Sequence, residues 1–487
     1  MRKGDGSRGE GVDDVIVILH FCEWCKGKVN ATWHVAYGIH ATYQRPSQQT
    51  AKMTKSTDQS PMTPELRGLP VEILTYILDW YVYQFDKSNG DSPKWWLATR
   101  PSCGLLGMRL VCKTWSEAII KMYFHRMCVH KSKRAKCILD NWNHTMYGSI
   151  LLCPVRDLTI ARLRYEHMGI EGRGEIQESP RPPVTMYEAV RLIERLGINV
   201  ESLTFEFKYS MGFSPAMIKA VRPLKNLKEL DIRYFIGSRD WPGICDPESF
   251  GNLITAIPRL ESLSLQEGWH LDGIRLQPNT LSNLKEFSFN LCPENIKGLA
   301  HICQTAKPSL KVIDIRFASE MEHANVAFDP MKAILDHHFI IIRGAGDPIP
   351  TSVLNMEFPK LRVMGIHHRE GYTSQTGWLH SPMLQNVRTM VVFHSYCYGG
   401  LRALKFAEVE ALRNVPNFRH IIFVGWSDAK VDPDLIQAFK LRGIKCHFVS
   451  CLSHVKILEL ESEFDDTLEA PKTKIDYLPG GRHWTYN

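Results

Sequence analysis

The sequence has no long apolar run, no strong charge of either sign, and none of the short signatures that mark common catalytic sites. Near the start, the only apolar stretch is Val15 to Phe21, seven residues that follow the acidic pair Asp13-Asp14. About 20 are needed to span a bilayer, so this stretch reads as neither a membrane helix nor a signal peptide. Without secretion, Asn30-Ala31-Thr32 and Asn143-His144-Thr145 are chance matches to the glycosylation pattern. The net charge of +7, from 59 basic and 52 acidic side chains, is spread thinly and does not require nucleic acid.

Catalytic and metal-binding signatures are equally scarce. There is no Gly-x-Ser-x-Gly elbow and no His-Glu-x-x-His helix, and Arg343-Gly344-Ala345-Gly346-Asp347 lacks the Lys-Ser/Thr of a phosphate loop. Cys22-Glu23-Trp24-Cys25 has ligand spacing but no partner pair at finger distance. His337-His338 and His367-His368 are adjacent pairs whose side chains diverge on a strand. No metal and no cofactor is expected. The 13 cysteines are odd in number and sit mostly in apolar runs such as Leu291-Cys292 and His301-Ile302-Cys303, which fits free thiols in a reducing, intracellular setting, cytoplasmic or nuclear.

What is present is a globular composition of 487 residues, 44% hydrophobic and 23% charged, able to bury a large core. Residues 1–61 are rich in Gly, Ser, Gln, Thr and Lys and show no sustained period; they read as a disordered or loosely ordered leader. At 62–130 the pattern becomes helical. Leu69-Pro70-Val71-Glu72-Ile73-Leu74-Thr75-Tyr76-Ile77-Leu78 places apolar residues at i, i+3, i+4, and the pattern resumes with Leu105, Met108, Leu110, Val111, Cys112, Trp115, Ala118, Ile119 and Met122. A turn-rich insert at 81–104 separates the two. Lys131 to Lys136 is a short basic stretch, either a solvated face or linker, or a phosphate or nuclear-import contact.

From residue 155 a signature recurs, apolar-x-x-apolar-x-apolar, whose second half alternates as a half-buried strand does. Its copies begin at Val155, Val200, Leu227, Leu260, Leu284, Leu310, Leu361, Val387 and Phe418, and one degenerate copy is expected at Phe339-Ile340-Ile341-Ile342. Helix-like stretches lie between them at Met186–Leu196, Pro293–Ala306, Leu404–Val415 and Pro433–Leu441. A strand, turn and helix at this period is a repeat unit that buries its apolar side only by stacking on its neighbours. The expected fold is therefore α/β: a small helical module followed by an irregular solenoid over 150–460, parallel strands on the concave side and helices on the convex side, then a tail at 461–487.

The pairing of Leu69-Pro70-x-Glu72-Ile73-Leu74 with Leu110-Val111-Cys112-Lys113-x-Trp115 resembles the F-box, the module that docks on the Skp-family linker of a cullin ubiquitin ligase. The resemblance implies a linker-binding role for Leu69, Pro70, Ile73, Leu74, Leu110, Val111, Cys112 and Trp115. The repeats resemble leucine-rich repeats, and the combination implies a non-catalytic substrate adaptor that binds an unknown protein substrate, with neither nucleic acid nor membrane as partner. The Asn or Cys that usually closes the leucine-rich signature is mostly missing: Phe235, Gly268, Ala318, Arg369, Ser395 and Trp426 stand there, and only Cys292 fits.

On each strand the residue between the last two apolar positions and the one after them should share the concave face. These rows turn from polar to aromatic toward the C-terminus. That makes Arg316, His367, Val391, Phe393, Tyr396 and Trp426 the expected substrate-binding group, unless the tail Leu478 to Asn487 covers the late strands. Two alternatives from other classes stand beside this reading. One is a hydrolase or transferase using His367, Asp314 or Cys397, the other a repeat scaffold outside ubiquitin transfer.

Overall fold

A computed structural model describes residues 118–121, 124–142, 153–164, 182–208, 210–234, 244–266, 269–317, 328–335, 337–343, 351–367, 381–393, 415–425, 431, 433–449 and 452–466. The chain divides into two units, Met1–Leu74 and Thr75–Asn487, and all the described residues belong to the second. The F-box-like segments, with the exception of Ala118 and Ile119, lie outside the described residues.

The strands are β1 (Arg126–Val129), β2 (Asp157–Arg164), β3 (Val184–Thr185), β4 (Ser202–Phe207), β5 (Ser210–Met211), β6 (Glu229–Tyr234), β7 (Ile244–Cys245), β8 (Ser262–Leu265), β9 (Glu286–Leu291), β10 (Val312–Phe317), β11 (Phe339–Arg343), β12 (Val363–His367), β13 (Thr389–Phe393), β14 (His420–Val424) and β15 (Lys445–Val449). Thirteen of them form one open sheet in the order β1-β2-β4-β6-β8-β9-β10-β11-β12-β13-β14-β15, with β3 added on β2; β5 and β7 form a separate pair. Every pairing is parallel. The strand order thus follows the chain without reversal.

Between strands run α1 (Ser132–Asn141), α2 (Met186–Leu196), α3 (Pro215–Val221), α4 (Pro247–Thr255), α5 (Ile296–Ala306), α6 (Phe328–Leu335), α7 (Thr351–Leu354) and α8 (Pro433–Leu441), and α9 (His454–Asp466) follows the last strand. Their starts are legible in local chemistry. Thr185 and Glu188 form a reciprocal cap at α2, while Ser214 and Asp246 each cap a helix whose first residue is proline. The basic stretch from Lys131 is the start of α1, tied to α2 by Ser132 Oγ donating to Glu188 and by Lys136 within 4.0 Å of the same carboxylate.

Each recurring apolar signature is a strand, and equivalent positions stand side by side: Leu230 pairs with Leu203 and Leu263, and the degenerate copy at Phe339 pairs with Val312 and Val363. One sheet face carries Leu203, Phe205, Leu230, Ile232, Phe287, Phe289, Ile313 and Ile315, and packs with the buried sides of α2 to α5 into one core. Close packing is required where α5 crosses the 271 loop: a Cβ on Gly298 would stand 2.5 Å from the Leu271 carbonyl oxygen, so only glycine fits.

Three boundaries differ from the sequence expectation. The sheet begins at Arg126, inside the segment assigned to the helical module, and it ends with a strand, β15, that the signature did not mark. The third is α9, which crosses residue 460, where the repeat region was expected to give way to a tail.

Units are also linked by a column of side-chain amides just before the strands. Asn199 donates to the Cys153 carbonyl at 2.8 Å, Asn226 to Ile198 at 3.4 Å, Asn283 to Pro258 at 2.9 Å, Asn386 to Phe358 at 3.3 Å and Asn417 to Gln385 at 2.8 Å. Where asparagine is replaced by Ser309, the hydroxyl makes the equivalent bond to Leu281 at 3.0 Å. In the leucine-rich signature such a residue follows the strand; here it precedes the strand.

Candidate functional site

The sheet face opposite the helices splits into two halves. On β2 to β9 it is polar: Thr159, Thr204, Glu206, Asp231, Arg233, Ser264, Ser288 and Asn290 alternate with the core residues. On β11 to β15 it is apolar, and Phe339, Ile341, Val363, Val391, Phe393, Ile422, Val424 and Val449 form a second core with Ile457, Leu458 and Phe464 of α9.

This second core corrects part of the expected substrate-binding group. Val391 is 0% exposed and Phe393 9%, so both are interior residues beneath α9 rather than contacts for a partner. Their apolar character reflects burial against the chain's own helix, which removes the surface from water. Arg316 is half-buried on β10. His367 ends β12, and its side chain is outside the described residues, as are Tyr396, Trp426 and Cys397. Of the residues considered for a hydrolase or transferase, Asp314 is 1% exposed and accepts a hydrogen bond from Ser288 Oγ at 3.2 Å. All eight residues expected to bind a linker, Leu69, Pro70, Ile73, Leu74, Leu110, Val111, Cys112 and Trp115, lie outside the described residues.

The best-built polar cluster stands instead on the early strands. Arg233 Nε and Nη2 both reach Asp231 Oδ2 at 2.5 Å, and Glu206 is the register neighbour of Arg233 on the adjacent strand. Burial pushes the Glu206 carboxyl above its ordinary range, while Arg233 and Arg162 pull it back and Asp231 adds to the rise. Arg162 itself adopts φ of 58° at a register shift between Ile160 and Leu163. A bulge of this kind re-aims a side chain, and a non-glycine residue at positive φ marks local strain of about 1–3 kcal/mol.

Two guanidinium and two carboxylate groups interleaved on a half-buried sheet face suit recognition of a partner's polar groups. Nearby Cys128 has its thiol pushed up to about 12, chiefly by burial, which holds it protonated and unreactive. In the row between Asp231 and Ser288, Ser264 is 6% exposed and its hydroxyl has no hydrogen-bond partner. The sequence signal for this cluster is the pair of opposite charges at the last face position of neighbouring strands, Glu206 then Arg233.

At the boundary between the two halves, α9 is fastened to the sheet. His454 Nδ1 and Glu286 Oε1 are 2.7 Å apart, and the His454 ring meets Phe393 edge-on at 5.5 Å. Further along, Phe464 stacks on His447 at 4.0 Å and on His420 at 4.7 Å, and the two histidines approach to 3.2 Å. Burial, with His420 and Lys445 adding to it, lowers the His447 pKa to about 4, so that ring is neutral near pH 7.

No helix among the described residues is long and apolar enough to cross a membrane, and no group of three or more His, Cys, Asp or Glu among them could hold a metal ion. No family model matches the chain, and no curated protein matches it. Among solved structures, a structural-genomics target from Bacteroides fragilis is similar to it at 12% identity with a TM-score of 0.26, over 53% of this chain and 66% of that one.

Proposed function

We propose that this chain is a non-catalytic substrate adaptor of a Skp–cullin–F-box ubiquitin ligase, with an F-box between residue 62 and the first strand at Arg126 and an irregular leucine-rich-repeat-like domain behind it. The observation that carries the reading is the parallel sheet whose order follows the chain, one signature on each strand from β2 to β14 apart from the short β3, with a continuous polar face on β2 to β9. Repeat folds of this kind present extended surfaces to other macromolecules. The paired Leu-Pro-x-Glu-Ile and Val-Cys-Lys-x-Trp segments supply the docking half of the reading.

In this reading Leu69, Pro70, Ile73, Leu74, Leu110, Val111, Cys112 and Trp115 grip the linker, and the cluster of Glu206, Asp231 and Arg233 contacts the substrate. Arg316 stands beside that surface. Ubiquitin transfer is then accelerated by proximity: a substrate lysine held near a charged partner enzyme reacts as an intramolecular neighbour, and this chain provides no nucleophile. Such an adaptor works in the cytoplasm or nucleus.

The test is co-precipitation with a Skp-family linker. The wild-type chain retains the linker, and a folded Leu69→Asp, Trp115→Ala double variant loses it. Equal retention by the variant refutes the docking assignment, and failure of the wild-type chain to retain any linker leaves a repeat scaffold outside ubiquitin transfer.

A further inference from the structure

The residue immediately before each strand forms a column of its own, held in line by main-chain bonds. Glu201 N donates to the Arg156 carbonyl, Lys228 N to Glu201, Glu261 N to Lys228, Lys285 N to Glu261, Lys311 N to Lys285, Arg362 N to His338, Arg388 N to Arg362 and Arg419 N to Arg388, all at 2.7–3.0 Å. His338 falls beside Lys311, because Phe339 pairs with Val312. Neighbours in this column are therefore about one strand spacing apart, roughly 4.8 Å.

Charge along the column changes abruptly. From Arg156 to Lys285 the signs alternate, and the acids are engaged: Arg156 meets Glu201 at 3.4 Å, and Glu261 lies 4.0 Å from Lys228 and 2.7 Å from Lys285. From Lys311 onward the column reads Lys311, His338, Arg362, Arg388, Arg419, with no acid in it. The described turns that flank these positions, 307–311, 337–338, 356–362, 381–388, 415–419 and 441–445, hold eight Lys or Arg and one acid, Glu357. Lys311, His338 and Arg419 are exposed, and Arg362 Nε is buried with no hydrogen-bond partner. An open depression of about 390 Å³ sits where the basic run begins, lined by Lys285, Lys307, Ser309, Lys311, His338 and Lys360.

We infer that this strand-start edge is a binding site for an acidic polypeptide segment, laid across β10 to β14. Five column positions at roughly 4.8 Å spacing extend over about 19 Å, the length of about six extended residues. Charge complementarity favours a polyanion, and the side-chain chemistry favours a polypeptide over a nucleic acid strand. Base recognition without sequence preference relies on aromatic stacking platforms, and the large hydrophobics exposed among the described residues are Tyr187, Ile198 and Leu441, none of them in this column. Carboxylates need only the guanidinium and ammonium donors that are there. The site is on the rim of the sheet, separate from the Glu206 cluster, and does not depend on the ubiquitin-ligase reading.

The experiment is fluorescence anisotropy of a labelled twelve-residue oligoglutamate against the full chain, with a twelve-nucleotide oligothymidylate as the second probe. The peptide binds at low salt and is released as ionic strength rises. A Lys311→Glu, Arg419→Glu variant, both positions exposed and its fold checked by circular dichroism, binds at least about tenfold more weakly. Lys228→Glu, in the alternating part of the column, leaves binding unchanged. Absence of peptide binding, equal binding by the double variant, equal loss in Lys228→Glu, or tighter binding of the oligothymidylate overturns the inference.

Discussion

His454, the first residue of α9, meets Glu286, the first residue of β9, with Nδ1 and Oε1 2.7 Å apart across 168 positions of sequence. The pair lies where the polar half of the sheet face gives way to the apolar half. Together with the packing of Ile457, Leu458 and Phe464, it fixes how far the helix reaches across the strands.

Replacing His454 by alanine removes that anchor and leaves Glu286 without it. Hydrogen bonds to charged groups contribute about 1.5–3 kcal/mol, so the expected outcome is a loss of that order in α9 docking. Hydrogen exchange by mass spectrometry should then show faster exchange over residues 454–466 before any change in the central strands. Unchanged protection in that segment would count against the anchoring role.

Acidification should weaken the same helix through His447. Its folded pKa of about 4 is below the ordinary value of 6.5, so between those values the unfolded chain binds a proton that the folded chain excludes. The contribution is fully present above about pH 6.5 and is lost as pH falls toward 4, with an upper bound of about 2 kcal/mol at pH 5. Urea midpoints measured at pH 7 and pH 5 should separate less in His447→Phe, which keeps an aromatic ring against Phe464. An identical separation in wild type and variant would remove His447 as the cause.

Phe393 tests the burial of the late strands. As a core residue beneath α9 its change to alanine should cost about 3 kcal/mol, whereas truncation of an exposed contact leaves stability within about 0.5 kcal/mol. Thermal or chemical unfolding distinguishes the two.

The column of asparagines gives a graded prediction. Asn283→Ala and Asn417→Ala each delete a bond to the preceding unit, at 2.9 and 2.8 Å, on partly hydrated turns. Each should lower stability by about 0.5–1.5 kcal/mol, and the double variant, whose sites share no partner, should lose close to the sum. A clearly smaller effect at both sites would mean that water replaces the amide without penalty.

Much of the sheet was legible because a period-two apolar pattern ending in a fixed signature has few other ways to bury itself. The strands from β2 to β14 in the large sheet, apart from the short β3, fall where the signature predicts, and α2 and α8 begin and end at the expected residues. The two outermost strands were not legible. Arg126-Met127-Cys128-Val129 and Lys445-Cys446-His447-Phe448-Val449 each have a single neighbour in the sheet; the first carries the signature as Phe124-x-x-Met127-x-Val129 but lies inside the segment assigned to the helical module, and the second has Gly443 where the apolar lead-in would stand. The alternative reading, a cover by Leu478–Asn487, falls outside the described residues; the element that lies over the late strands is α9, whose apolar positions are interrupted by Glu459, Glu461 and Glu463. The site was harder to read than the fold. An exposed aromatic surface and one covered by a helix have the same composition, so the sequence around Val391 and Phe393 does not distinguish a recognition surface from a core beneath α9.

Because each asparagine amide in the column donates to the unit immediately before it, that bond is a property of adjacent pairs and not of the whole. A gene that copied or excised one complete unit would leave each surviving asparagine with a carbonyl to meet. The spacing of 24 to 33 residues between neighbouring signatures from Val200 to Leu310 fits that tolerance: where Arg259 or Ser309 replaces asparagine a side-chain bond to the preceding unit is still made, to Lys225 or Leu281, and length variation is absorbed by the connections.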